Sequence, residues 1–131
     1  MADVPSGTVT FLFTDIEGST RLWEEQPNAM KQALVAHDRI LRDAIERNDG
    51  YVFATGGDSF AAAFQRVYDG LLAAVEAQLA LAVEAWADAP IRVRMALHAG
   101  EAEERDGDYF GQIVLVEMAL GTLDHLVPAV Q

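Results

Sequence analysis

The chain has 131 residues, 51% of them hydrophobic, with no cysteine and 21 acidic against 9 basic side chains, a formal net charge of -12. That length holds one folded domain with a real core, and the composition excludes a disordered tail, a disulfide framework and a thiolate metal site. So acidic a chain repels nucleic acid and anionic membrane, no apolar run approaches the roughly 20 residues that span a bilayer, and the first five residues carry neither a basic nor an apolar leader, so a cytoplasmic location is expected.

Val9-Thr10-Phe11-Leu12-Phe13 is a run of β-branched and large apolar residues, the pattern of a short buried strand. It ends on Asp15, where a strand leaves its sheet. Gly18, Ser19 and Thr20 follow, and Ser or Thr there can cap a helix beginning Arg21-Leu22-Trp23-Glu24. The first turn of such a helix presents unpaired N–H groups and partial positive charge, a seat for phosphate. A carboxylate beside a phosphate is repulsive unless a divalent cation lies between them, so the stretch points to metal plus polyphosphate. An ordinary strand, turn and helix cap would read the same way.

Pro27 suits the first position of a second helix, and Met30, Leu34, His37, Leu41 and Ile45 recur along one face of it until Asn48-Asp49-Gly50. His37 on that stripe reads as a core histidine rather than a ligand. Tyr51-Val52-Phe53 reads as a strand, Thr55-Gly56-Gly57 as a turn, and Ser59 to Phe64 as the returning strand, with Asp58 at its start. Leu72, Val75, Leu79, Ala82 and Trp86 predict the buried stripe of a third helix, broken at Asp88-Ala89-Pro90. Ile91, Val93, Met95 and Leu97 alternate with Arg92, Arg94, Ala96 and His98, a half-buried strand. Ala99 to Glu103 is expected as its neighbour, with a tight turn at Asp106-Gly107. Ile113 to Val116 reads as a further strand and Glu117 to Val127 as a closing helix.

The order βαββαβ favours an α+β fold: a ferredoxin-like antiparallel sheet with helices packed on it, plus a C-terminal hairpin. In that topology the first strand neighbours the hairpin that carries Asp58. Asp15 and Asp58 then converge at a sheet edge beside a helix N-terminus, as a two-metal phosphoryl-transfer site requires. Like charges that close need a cation between them.

With those residues assembled, the chain resembles the class III nucleotidyl cyclase catalytic domain of adenylyl and guanylyl cyclases, the soluble bacterial type above all. The resemblance rests on Phe13-Thr14-Asp15-Ile16-Glu17-Gly18-Ser19-Thr20, Thr55-Gly56-Gly57-Asp58-Ser59-Phe60, Leu97-His98-Ala99-Gly100-Glu101 and Asp108-Tyr109-Phe110-Gly111, in family order and spacing from about residue 8 to residue 111. It implies a single, shortened catalytic domain over residues 1–131 that converts ATP to cyclic AMP and pyrophosphate. It implies two magnesium or manganese ions on Asp15, Asp58 and the carbonyl of Ile16. The triphosphate would lie on the backbone from Glu17 to Thr20, with Gly18, Ser19 and Thr20 as its contacts, and Asp108 would help choose the base. It further implies a head-to-tail homodimer sharing its sites, with Tyr109 and Phe110 among the apolar residues available for self-association, and ATP rather than GTP as the nucleoside triphosphate.

Two departures stand out. Ala54 occupies the place of the family's base-selecting lysine, and Leu115 and Ala119 stand where the family has the Asn and Arg that orient the ribose and stabilise the transition state. Gly111-Gln112-Ile113-Val114-Leu115 matches better a later family strand, with the Asn/Arg helix skipped. No catalytic residue is therefore identified, and a degenerate module that binds metal and nucleotide, or only dimerises, is the second reading. A third is a diguanylate-cyclase-like enzyme, because Gly56-Gly57-Asp58-Ser59-Phe60 nearly spells GGDEF; Ser59 in place of the acidic residue speaks against it.

Overall fold

The computed structural model describes residues 4–86 and 89–111. The elements run β1 (Gly7–Ile16), α1 (Ser19–Glu25), α2 (Pro27–Arg47), β2 (Tyr51–Gly56), β3 (Ser59–Phe64), α3 (Val67–Val83), β4 (Val93–Arg105) and β5 (Asp108–Phe110). They build one antiparallel sheet in the order β2-β3-β1-β4-β5, with α2 and α3 against it and α1 packed on α2. The first four strands have the ferredoxin-like order, and β4–β5 is the added hairpin, as the βαββαβ pattern predicts. The expected strand from Ile113 and helix to Val127, with Leu115 and Ala119, lie outside the described residues.

β1 is the centre of the sheet and is longer than the apolar run alone suggests, because pairing on both edges carries it through Asp15 to Ile16. Its alternate residues serve two cores. Leu12 and Ile16 face the helices with Met30, Leu41, Ile45 and Phe64. Val9, Phe11 and Phe13 face the other way, with Ala63, Ala96 and Tyr109. That second core exists because the β4–β5 hairpin curls back across the sheet. Tyr109 packs edge-on against Phe11 and Phe53, at centroid distances of 5.3 and 4.8 Å, and its hydroxyl donates to the Pro5 carbonyl at 2.7 Å. Tyr51 on β2 donates to the Gly107 carbonyl at the hairpin tip, 2.8 Å away. Tyr109 is 1% exposed, so it belongs to the core and is not available for self-association; Phe110 remains exposed.

Several expectations need correction. Ala99 to Glu103 is not a second strand: β4 continues unbroken through Gly100, held by β1 from Val93 to Ala102. The chain turns only at Asp106-Gly107, where both residues have positive φ (53° and 81°), the requirement of a two-residue hairpin turn. The β2–β3 turn is Gly57-Asp58, with Gly57 at φ 61° and Gly56 still paired with Ser59, so Asp58 lies in the turn rather than in a strand.

The third correction concerns α3. Its buried face is Gly70, Ala73, Ala74, Ala77 and Leu81, whereas Val75 and Leu79, expected inside, are exposed. The helix is apolar nearly all round, so hydrophobicity does not select a face. Side-chain size does: the small residues let the helix approach the sheet so closely that a Cβ on Gly70 would stand 2.9 Å from the Thr10 methyl. Trp86 lies past the helix end and returns by donating its indole N–H to the Leu81 carbonyl at 3.0 Å. His37 is fully buried, edge-on to Phe60, as a core histidine should be.

Candidate metal centre

Asp15 and Asp58 reach the same end of the sheet by different routes. β1 pairs with β3 through Thr14 and Phe60, and the Thr14 hydroxyl also accepts the Phe60 N–H at 3.3 Å, fastening the β2–β3 turn beside the end of β1. Asp58, in that turn, therefore stands next to Asp15. Its Oδ2 is buried and has no hydrogen-bond partner. A buried carboxylate oxygen left unpaired is costly, and a cation is the partner that would satisfy it.

On the other side of Asp15 the structure places a residue that sequence reasoning passed over. Arg94 is the direct cross-strand neighbour of Asp15, and its guanidinium donates to both carboxylate oxygens, Nε to Oδ1 at 2.8 Å and Nη2 to Oδ2 at 2.9 Å. The pair is about four-fifths buried, with side-chain exposures of 21% for Arg94 and 17% for Asp15. The hydrogen bonds that Arg94 donates to Asp15 raise the arginine's pKa, assisted by the fields of Asp15, Glu17 and Asp58. One guanidinium thus sits among three carboxylates. The only trace of this in the sequence is the alternation that puts Arg94 on the polar side of its strand.

α1 supplies the anion side, though not as expected. It begins at Ser19, two residues earlier than read, and neither Ser19 nor Thr20 caps it: its N-cap is Gly18, at φ 66°, which only glycine adopts without strain. No side chain caps the first turn. The Glu17 N–H is already donated to the Arg92 carbonyl at 2.8 Å, which removes it from the expected phosphate cradle and leaves Gly18, Ser19 and Thr20. The buried side chain of Ile16 anchors the strand end between Asp15 and this turn.

The donor set fits divalent cations in one respect and is short in another. Two carboxylates, one with a buried unpaired oxygen, suit magnesium or manganese, which are bound through one or two carboxylates plus substrate phosphates. Among the described residues no cluster of three or more His, Cys, Asp or Glu forms a metal cage. Any further ligands would have to come from backbone, water or the substrate.

Asp108 is not brought to this place. It opens β5 opposite Arg105, eleven residues along β4 from Arg94, at the other end of that strand, a contour length of about 36 Å at about 3.3 Å per residue. Its Oδ1 accepts the Tyr109 N–H at 2.8 Å, and the residue is exposed. Ala54, in the position of the absent lysine, is exposed on β2.

The antiparallel βαββαβ sheet with its added hairpin is the architecture found in cyclase catalytic domains. Residues 1–105 match the family described as the adenylate and guanylate cyclase catalytic domain, and the chain belongs to that family. It is 39% identical over 123 residues to an uncharacterised protein of Mycobacterium tuberculosis, a stretch that is 92% of this chain and 41% of that protein. It is 40% identical over 82 residues to the adenylate cyclase of Schizosaccharomyces pombe, 63% of this chain and 5% of that one. The chain thus spans less than half the length of these relatives. Among solved structures, a Trypanosoma brucei adenylate cyclase described as monomeric superposes with a TM-score of 0.75 at 28% identity, over 86% of this chain and 66% of that one. An adenylate/guanylate cyclase/hydrolase from Silicibacter pomeroyi gives 0.72 at 26%, over 86% and 68%. These matches favour adenylyl and guanylyl cyclases over the diguanylate alternative. Cyclase domains of this family bind a nucleoside triphosphate, generally use two divalent metal ions and work as dimers. No helix among the described residues is long and apolar enough to cross a membrane.

Proposed function

We propose that this chain is a nucleoside-triphosphate-binding cyclase domain whose metal and phosphate half is intact and whose transition-state half is not. The observation that carries the reading is the Asp15–Asp58 pair, one oxygen of which is buried and unpartnered, beside an uncapped helix start. Asp15, Asp58 and the Ile16 carbonyl would hold two magnesium or manganese ions, and the N–H groups of Gly18, Ser19 and Thr20 would take the β- and γ-phosphates of ATP. When bound, the cations supply charge neutralisation for attack of the ribose 3′-oxygen on the α-phosphorus, which forms the cyclic ester and releases pyrophosphate. Arg94, which shares the carboxylate of Asp15, would compete with a cation for it and would place a guanidinium beside a bound triphosphate.

The separation of Asp108 from the carboxylate pair supports a head-to-tail homodimer. Asp108 and the carboxylate pair stand at opposite ends of β4, so base contacts by Asp108 would be made to the nucleotide held by the partner. Turnover is a separate matter. The family assigns ribose orientation and transition-state charge to an Asn and an Arg, where this sequence has Leu115 and Ala119, and Ala54 replaces the base-selecting lysine. Losing one preorganised donor costs on the order of 10²–10³ in rate, so losing two leaves synthesis near the detection limit. Purified protein with manganese and ATP or GTP, assayed for cyclic AMP and cyclic GMP, is expected to bind nucleotide and turn over barely or not at all. Brisk synthesis that Asp58→Ala abolishes would reverse the second half of the reading; no binding of manganese would reverse the first.

A further inference from the structure

His37 stands on the buried stripe of α2 with Met30, Leu41 and Ile45, where a leucine would fill the space at no polar cost. Its side chain is fully buried. Nδ1 donates to the Asp38 Oδ1 at 2.8 Å, since a carboxylate can only accept. Nε2 is buried as well, and among the described residues it has no hydrogen-bond partner. An unpaired buried nitrogen costs stability, so the imidazole is a poorer filler than an aliphatic side chain. What it adds is an oriented ring. Asp38 is half exposed and holds the ring from outside the core, by a bond that leucine cannot make. The edge so fixed meets Phe60, at a centroid distance of 5.7 Å and an interplanar angle of 71°. Further along α2 the Arg42 guanidinium lies 5.5 Å from the centre of the same Phe60 ring, so the helix grips this residue twice.

Phe60 is also where the two carboxylates are tied together. It is buried, follows Asp58 by two residues and pairs with Thr14, the residue before Asp15. Its N–H is the one that the Thr14 hydroxyl accepts at 3.3 Å, and Thr14 is itself buried. A shift of Phe60 therefore moves the β2–β3 turn against the end of β1, and Asp58 against Asp15. We propose that His37 is a positioning residue for the carboxylate pair: the edge of its imidazole, oriented by Asp38, seats Phe60 and so sets the reach of Asp58 toward Asp15. This role deepens the reading of the pair as the metal site and rests on it. Magnesium demands near-ideal octahedral geometry, so the spacing of two carboxylates that share its coordination is felt in the affinity. His37 touches neither carboxylate and acts from the helix layer, through Phe60 alone.

The test sets stability against metal affinity in the full 131-residue chain. His37→Leu keeps the slot filled and removes both the unpaired nitrogen and the oriented ring. Its urea midpoint should be unchanged or higher. Its affinity for manganese should nevertheless fall by about two- to tenfold, the range that an edge-on aromatic contact is worth. In the metal-free protein its Phe60 amide should exchange faster by a similar factor, through local opening of the turn. His37→Phe restores an aromatic edge and should recover most of both losses. Wild-type affinity and wild-type Phe60 exchange in His37→Leu would overturn the proposal and leave His37 as filler. A His37→Phe variant that loses as much as His37→Leu would overturn it too, because the ring would then not be the device. So would unfolding of His37→Leu, whose side chain is expected to fill the slot without cost. If the wild-type chain binds no manganese, the metal reading fails by itself. The exchange of the Phe60 amide, measured without metal, still decides whether His37 seats the turn.

Discussion

Asp15 and Arg94 face each other across β1 and β4 and share two hydrogen bonds of 2.8 and 2.9 Å. The carboxylate that a cation would use is therefore already neutralised by an arginine, and Asp58 and Glu17 add their fields to hold the guanidinium there. This arginine offsets part of the mutual repulsion of three carboxylates at one sheet end.

Removing that arginine should have opposite effects on stability and on metal affinity. Arg94→Met is expected to lose about 1.5–3 kcal/mol in urea unfolding, the scale of charged hydrogen bonds in a partly buried site. The same variant should bind manganese more tightly, on the order of tenfold, because the cation no longer competes with the guanidinium. Unchanged affinity in calorimetry would mean that the arginine and the cation do not compete for Asp15.

Asp58 provides the complementary test. Asp15→Ala or Asp58→Ala should abolish manganese binding in the same titration. Asp58→Ala should cost the metal-free protein little stability, because its Oδ2 has no partner to lose. Equal binding by wild type and both variants would remove these residues from the metal site.

Tyr109 predicts an alkaline transition. Burial, then the charge of Glu104 and the neighbouring Tyr51, push its pKa well above the ordinary tyrosine value of 10.0. Its raised folded-state value means that the stability it contributes is complete below the unfolded pKa, near 10, and is lost as pH rises above that. Tyr109→Phe should therefore flatten the loss of stability above pH 10. At neutral pH it should cost about 1 kcal/mol for the bond to the Pro5 carbonyl. Parallel alkaline profiles for the two proteins, followed by thermal unfolding, would assign the transition to another group.

The close approach of α3 to the sheet can be measured at Gly70. Alanine is a better helix former by roughly 0.8–1 kcal/mol. Here, however, its methyl would meet the Thr10 side chain at 2.9 Å and the Phe64 ring at 3.4 Å. Overpacking of that kind costs about 1–3 kcal/mol, so Gly70→Ala should be destabilising on balance. A stabilised variant in chemical denaturation would show that α3 sits farther from β1 than described.

The sequence by itself determined the elements whose signals are local. The apolar run from Val9 marks β1, Pro27 the start of α2, and Asp106-Gly107 the hairpin turn, because each depends only on backbone preference or burial of one short stretch. It also singled out Asp15 and Asp58, since a carboxylate at a strand end and another in a glycine turn are visible without a partner. What the tertiary structure alone decided are relations between distant residues. Arg94 meets Asp15 only through the antiparallel register of β1 and β4, a pairing of positions far apart in the chain that no periodicity encodes. The buried face of α3 was set by the space beside Thr10 and Phe64, which favours Gly70 and the alanines over the larger Val75 and Leu79. Tyr109 became core because the hairpin curls over Phe11 and Phe53, and β4 runs straight through Gly100 because β1 holds it on one edge. Local propensity names the pieces; which side chains meet depends on how those pieces pack, and that is a property of the whole sheet.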